Sequence, residues 1–510
     1  MRTMNLLLLT VSLTLTITAC DSGIDGVDVE TRNASAQPSA EETEEARIAE
    51  ILSLENCAWR GPYVRENTKA DVGLLDYGAY YWTLFGTAPT GASLRLKGKY
   101  PRARYFSFNT YKMNGTTAPY HGLVDKIIEP NAGQPANPFL TGNKRGVDST
   151  YTIDVVWDDD NDSTNNDLGP NQLLTDLYDQ ATYDAQYASD YLSIFPTFNA
   201  LERGFEMMYR VYVHDEAADG LGGVDFPQME LTLNGVTYDD QEEICQLLAI
   251  KDSTIDAPLM DAEKQYRPLR ENGNPYTPKD YYKDENGQPA ENGEITWRAS
   301  YDQGHDMRCP FLGQCEREGP RAVGFYPNLD NGYLNTWVDN RKGAVILTEG
   351  KLPITPKTLA GGGTYDDTDA QLRYWSLCSY EFYSQRNTDC VFDEQLLLDE
   401  DRRYAIVTSK KKDRPENAIE ACGYNWLEFP EWGDNLALLH DPSKSTGRIN
   451  NDYDALLLNR QMTRYDGFDQ GVQSTATPGD EIRVMGEYLQ RSRYLSVVAF
   501  EELPCRNVVR

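Results

Sequence analysis

"RYFSFNTY" (Arg104–Tyr111) and "RYWSLCSY" (Arg373–Tyr380) are nearly the same eight residues written twice, 269 residues apart. Alternation through the first stretch puts Phe106 and Phe108 on one face. Tyr105, Ser107, Asn109 and Tyr111 then share the other. The same rule sets Trp375 and Leu377 opposite Tyr374, Ser376, Cys378 and Tyr380. Period-two patterning with aromatic residues on both faces predicts a buried or half-buried strand.

The surroundings repeat as well. "LRLKGKYP" (Leu94–Pro101) and "VILTEGKLP" (Val345–Pro353) are strand patterns that close in Gly-Lys-x-Pro. "DYGAYYW" begins at Asp76 and "DNGYLNTW" at Asp330, while "TYTIDVVW" (Thr150–Trp157) resembles "RYAIVTS" (Arg403–Ser409). Four elements recurring in one order predict an internal duplication. The 33 tyrosines and the frequent turns favour strands. A chain of 510 residues also exceeds what one hydrophobic core usually holds. The expected fold is mainly β: two tandem related β-sandwich, jelly-roll-like domains with few short helices. The first spans 51–250 and the second 299–510, joined by a polar Asn/Gly/Pro-rich linker or excursion over 251–298. In the second copy "ITPKTLAGGGTYDDTDAQL" (354–372) is inserted before Arg373 and reads as a Gly-rich loop that cannot pack.

Before these domains lies an address. Arg2 precedes an acid-free apolar run from Leu6 to Thr18, which has signal-peptide length and is short for a membrane span. The run ends in "ITAC", resembling a bacterial lipobox. Residues 1–19 are thus expected to be a lipoprotein signal peptide and Cys20 a lipidated N-terminus, anchoring the protein to a membrane. The following Asp21 resembles an inner-membrane retention residue. Residues 20–50 are small, polar and acidic, and predict a disordered tether. The expected location is the bacterial cell envelope, lipid-anchored, on the periplasmic side or at the surface.

Net charge is −32, which disfavours nucleic-acid partners and suits a soluble charged surface. Beyond Cys20 the cysteines are even in number, as structural disulfides in an oxidising compartment require. Cys378 and Cys390 lie on runs joined by a polar loop, and Cys309 and Cys315 flank "PFLGQ". Cys57 and Cys245 bracket the first half, leaving Cys422 for Cys505, as candidate pairs among the 105 connectivities that eight cysteines allow. Zinc is disfavoured: no CxxC pair exists, and His121, His214, His305 and His440 are scattered.

With "NLDNGY" (Asn328–Tyr333), a GK-x-P strand and "RYWSL", the chain resembles the paired bacterial domains of unknown function numbered 1254 and 1214. It is also similar to a group of uncharacterised secreted bacterial proteins. The shared stretches are "YRVYVHDEAADGLGGVDFP" (Tyr209–Pro227), "LRYWSLCSY", "CGYNWLEF" (Cys422–Phe429) and "PGDEIRVMGEYL" (Pro478–Leu489). The resemblance implies β-sandwich domains and brings no substrate or mechanism. The first copy departs from the numbered families in carrying Leu74 where they place an asparagine.

Several residues are candidates for chemistry. Asp76 with Arg104, and Asp330 with Arg373, are expected to form one framework ion pair per domain. The opposing reading gives Tyr105, Ser107, Tyr111, Tyr374, Ser376 and Tyr380 to a hydroxyl-bearing groove suited to sugars and other amphipathic ligands. In "DDDNDSTNND" (Asp158–Asp167), Asp158, Asp160 and Asp162 stand at alternate positions, as in a calcium loop. Ser163 and Gly169 depart from that loop at its turn and closing positions, and a solvated acidic loop is the competing reading. No cofactor is otherwise implied. GxSxG, P-loop, GxGxxG and HExxH motifs are missing. Two functions follow: a non-catalytic envelope lipoprotein binding a glycan, small ligand or envelope protein, or a secreted, calcium-supported hydrolase of an extracellular polymer.

Overall fold

The computed structural model of the protein describes residues 56–509 other than 65–70, 72, 112–118, 141, 159–167, 183–200, 216–219, 251–293, 296, 301–327, 362, 366–368, 382–385, 432–452 and 476–479. Strands dominate, and the described helices are short. The first half contains β1 (Arg60–Tyr63), β2 (Ala79–Thr87), β3 (Ser93–Lys99), β4 (Ala103–Tyr111) and β5 (Pro119–Val124). It continues through β6 (Thr150–Asp158), β7 (Gln172–Asp176), β8 (Gly204–His214), β9 (Gln228–Leu233) and β10 (Val236–Tyr238). Helix α1 (Gln241–Leu247) follows, started by the Asp240 carboxylate accepting the Glu243 N–H.

The second half contains β11 (Glu294–Ile295), β12 (Arg298–Ala299), β13 (Asn331–Asp339), β14 (Val345–Lys351) and β15 (Leu372–Glu381). After them come β16 (Arg386–Phe392), β17 (Arg403–Ser409), β18 (Asn425–Glu428), β19 (Asp454–Arg464) and β20 (Arg491–Leu495).

Each half builds two five-stranded sheets. In the first half the orders are β1-β2-β8-β4-β5 and β10-β9-β3-β6-β7. In the second they are β12-β13-β19-β15-β16 and β11-β20-β14-β17-β18. With β4 set against β15, the two halves repeat one strand order. The repetition extends to a single parallel pair, β6 with β7 and β17 with β18, at matching places in otherwise antiparallel sheets. An all-antiparallel jelly roll would lack that pair.

Burial follows the alternation. In β3, Leu94 and Leu96 point inward while Ser93, Arg95 and Lys97 are exposed, as a strand with one wet face requires. By contrast every residue of β4 and of β15 is buried. Phe106 and Phe108 pack with Leu94, Leu96, Tyr151 and Ile153 in the core of the first half. Trp375 and Leu377 pack with Ile346, Tyr404 and Ile406 in that of the second. The tyrosine faces turn the other way, where Tyr81, Tyr105, Tyr111 and Tyr212 meet Tyr374, Phe392 and Met462. The inner sheets therefore cover each other, and the described residues all belong to one compact unit.

The insertion before Arg373 is a loop, but the expectation that it cannot pack is wrong. Tyr365 is fully buried and stacks on Phe139 of the first half with ring centroids 4.6 Å apart. An aromatic residue suffices to seat a glycine-rich loop on a neighbouring core.

Candidate functional site

Two arginines open the repeated motifs, and both are buried side chains that must find charge partners. Arg104 donates from Nη1 to both carboxylate oxygens of Asp393, at 2.8 and 2.7 Å, and from Nη2 to Glu394. Its Nε reaches Thr358 Oγ1 at 3.0 Å, inside the inserted loop. Arg373 grips Asp125 with both prongs, at 2.9 and 3.0 Å, and also donates to the Arg104 carbonyl. Asp125 directly follows β5 and Asp393 directly follows β16, the matching strands of the two halves. Each carboxylate also accepts a backbone N–H from its own half, Phe106 N to Asp125 and Trp375 N to Asp393, both at 3.0 Å. The result is a reciprocal lock in which each half lends an arginine to the other's aspartate.

This corrects the expected pairing of Asp76 with Arg104 and of Asp330 with Arg373. Asp76 instead accepts the hydroxyls of Tyr374 and Ser376, both at 2.5 Å, and the Gly78 N–H at 3.0 Å. Arg460 lies 3.6 Å away. Asp330 accepts the Tyr105 hydroxyl at 2.6 Å. Here too the partner belongs to the opposite half. The reason is layer order: a motif carried on an inner strand faces the other inner sheet.

The six residues assigned to an open groove are correspondingly closed. Tyr105, Ser107, Tyr111, Tyr374, Ser376 and Tyr380 all have at most 1 % of their surface exposed. Tyr111 receives a bond from Arg210. Tyr380 receives one from Arg460 at 2.6 Å, and Ser107 bonds Asn109 at 3.2 Å. Burial, with the Asp76 carboxylate beside Tyr374 and the Asp330 carboxylate beside Tyr105, pushes both phenols well above their ordinary range. They act as fixed hydrogen-bond donors. Replacing Tyr374 by phenylalanine should lower unfolding free energy by about 1.5–3 kcal/mol, the usual worth of a hydrogen bond to a charged group. Urea denaturation measures it, and an unchanged midpoint would remove Tyr374 from the framework.

Asp125, Asp393, Arg210 and Arg460 were not singled out from the sequence. A signal existed for the last two, since an arginine stands mid-strand in both "GFEMMYRVYVH" and "DALLLNRQMTR".

Three expected disulfides are present: Cys57–Cys245, Cys378–Cys390 and Cys422–Cys505. Cys378 and Cys390 stand directly opposite each other on β15 and β16. Cys309 and Cys315 lie outside the described residues, as does Cys20. Three such bonds are those of a protein in an oxidising, extracytoplasmic compartment. No helix among the described residues is long and apolar enough to cross a membrane. Of the calcium candidates, Asp158 ends β6 and accepts the Tyr120 hydroxyl, while Asp160 and Asp162 lie outside the described residues.

Open concavities lie instead at the outer sheets, at matching places. In each half a tyrosine on one strand crosses the glycine of the neighbouring Gly-Lys-x-Pro strand: Tyr151 over Gly98, and Tyr404 over Gly350. A Cβ on either glycine would collide with the tyrosine hydroxyl, which accounts for the repeated glycine. Above the first pair is a cavity of about 510 Å³ bordered by Lys97, Lys99, Thr150, Asp225 and Gln228. Above the second is one of about 650 Å³ bordered by Glu349, Arg403, Glu487, Arg491, Arg493 and Arg506. Both volumes fall in the usual range of small-molecule sites.

No protein-family model and no curated protein matches this chain. Among solved structures it is similar to an uncharacterised protein from Burkholderia cenocepacia, at 10% identity over 92% of both chains with a TM-score of 0.41. It is also similar to a protein from Vibrio parahaemolyticus, at 8% identity over 88% of this chain and 96% of that one, with a TM-score of 0.33.

Proposed function

We propose that the protein is a lipid-anchored cell-envelope protein with a binding role, taking up a small ligand at an outer-sheet cavity without transforming it. One observation carries this reading: the charged and tyrosine motifs that the two halves share are bonded to each other in the interior. Asp125 and Asp393 are held by arginines and backbone N–H groups, and Asp76 and Asp330 by tyrosine hydroxyls. A hydrolase that works on a glycan through a carboxylate pair needs the two carboxyls facing an open cleft about 5–10 Å apart. These four face one another's partners instead. The disulfides support the extracytoplasmic setting, and Cys20 is the proposed lipid attachment point.

The reading is tested on the full-length protein by a thermal-shift screen of small envelope metabolites and oligosaccharides, with calcium or with EDTA. Product analysis is run on the same mixtures. A ligand that raises the melting temperature and is recovered intact is the expected result. Conversion of any such compound would overturn the binding role in favour of the hydrolase, and calcium dependence of that conversion would place the acidic loop in it.

A further inference from the structure

We propose that the outer cavity of the second half binds a tetrahedral oxyanion, the phosphate or sulfate group of a soluble small molecule. The inference rests on the binding reading above and names the chemistry of its ligand.

Charge is the first observation. The chain carries −32 overall, yet this cavity is bordered by Arg403, Arg491, Arg493 and Arg506 against only Glu349 and Glu487. Solvated charges act over about 8 Å at physiological salt, so a local arginine cluster can attract an anion that the whole molecule repels. Guanidinium forks match the oxygens of phosphate and sulfate in pairs, and arginine dominates wherever such groups are recognised.

The second observation is how these arginines are held. Arg403 bonds Glu487 and Arg493 bonds Glu349, each at 3.1 Å, which orients two forks at the rim. Glu487 also meets Lys351 at 2.9 Å, and these cations hold its carboxyl below the usual range. Arg491 has no ion-pair partner among the described residues. Arg506 is placed by the chain itself: it follows Cys505 of the Cys422–Cys505 disulfide, and its N–H donates to the Cys422 carbonyl at 2.9 Å. One of its prongs, Nη2, reaches Asp399 and the Arg403 carbonyl at 3.4 and 3.3 Å. The other, Nη1, is buried with no hydrogen-bond partner among the described residues. Arg506 thus adds a fixed positive charge to the edge of the cavity.

The third observation is internal to the molecule. Strand register aligns the two outer sheets residue by residue. Arg491 lies opposite Glu349 as Gln228 lies opposite Lys97, and Arg403 lies opposite Lys351 as Thr150 lies opposite Lys99. Arg493, opposite Leu347, corresponds to Glu230, opposite Arg95. The glycine–tyrosine floor is common to both cavities, while three arginines of the second stand where the first has Thr150, Gln228 and Glu230. The framework is shared and the charge is specific to one copy. That makes the first-half cavity a built-in control.

The test is isothermal titration of the full-length protein with inorganic phosphate, sulfate, glucose 6-phosphate and glucose at matched ionic strength. Saturable binding of the first three and none of glucose is expected, weakening as salt is raised. Arg491→Gln touches no described partner, so it should leave the melting temperature unchanged while weakening binding about tenfold or more. Lys97→Gln, in the first-half cavity, should leave binding as it was. Absence of saturable phosphate or sulfate binding, or binding by Arg491→Gln and by Arg403→Gln that is as tight as the parent's, would overturn the proposal while leaving a role in binding other ligands intact. Arg491-dependent sedimentation with phosphatidylglycerol vesicles, without binding of soluble phosphate, would overturn the soluble source. Turnover of glucose 6-phosphate would overturn the binding role itself.

Discussion

Replacing Arg373 by alanine is expected to destabilise the protein by about 3–5 kcal/mol, because it leaves a buried carboxylate without its cation. Asp125 would keep only the Phe106 N–H, and the Arg104 carbonyl would lose two donors. Such a loss is a large share of the about 5–15 kcal/mol that stabilises an ordinary domain. Replacing both partners, Arg373→Met with Asp125→Leu, should cost less than either single change, since apolar substitutes for a buried pair are often tolerated.

The deficit should also depend on pH. Burial raises the Asp125 carboxyl to about 6 although Arg373 and the Phe106 N–H pull it down. The folded protein therefore binds more protons than the unfolded chain between its ordinary value of 3.8 and about 6. This group's stabilising contribution is fully present below the lower value and is lost as pH rises through the upper one. Without Arg373 the folded-state value climbs further, so the mutant recovers more stability on acidification than the parent does. Urea denaturation at pH 5 and pH 8 should show a smaller deficit at pH 5. A deficit equal at both pH values would mean that Asp125 is not the group left uncompensated.

Removing the Cys57–Cys245 bond with a double serine replacement should have an effect of comparable size. The bond ties the approach to β1 to helix α1 across a separation of 188 residues. The chain-entropy relation gives about 5 kcal/mol for a loop of that length, against about 3 kcal/mol for the 12-residue separation of Cys378 and Cys390. Denaturant midpoints of the two serine pairs rank them directly. The reverse order would show that native packing around Cys378 and Cys390, beside Asp76, outweighs unfolded-chain entropy.

Much of the local structure was legible. Alternation in Arg104–Tyr111 and Arg373–Tyr380 assigned each aromatic residue to its face, and burial agrees. The Cys378–Cys390 bond could be read because its cysteines sit on strands joined by one short loop. The partners of Arg104 and Arg373 could not be read. Asp393 and Asp125 stand 289 and 248 residues from them, with no shared spacing. The arginine cavity was equally hidden, because Arg403, the Arg491–Arg493 pair and Arg506 come from separate segments that meet only when β17 and β20 flank β14.

The amino-acid order by itself determined the mainly β class, the strands with their inward and outward faces, and the even cysteine set that speaks for an oxidising compartment. These depend on neighbours along the chain, on a period of two, or on the parity of one residue type. Only the tertiary structure decided that the tyrosine faces close on each other and that every motif arginine serves the opposite half. A period-two pattern states which side chains share a face, whereas the sheet that covers the face is chosen by packing between residues hundreds of positions apart.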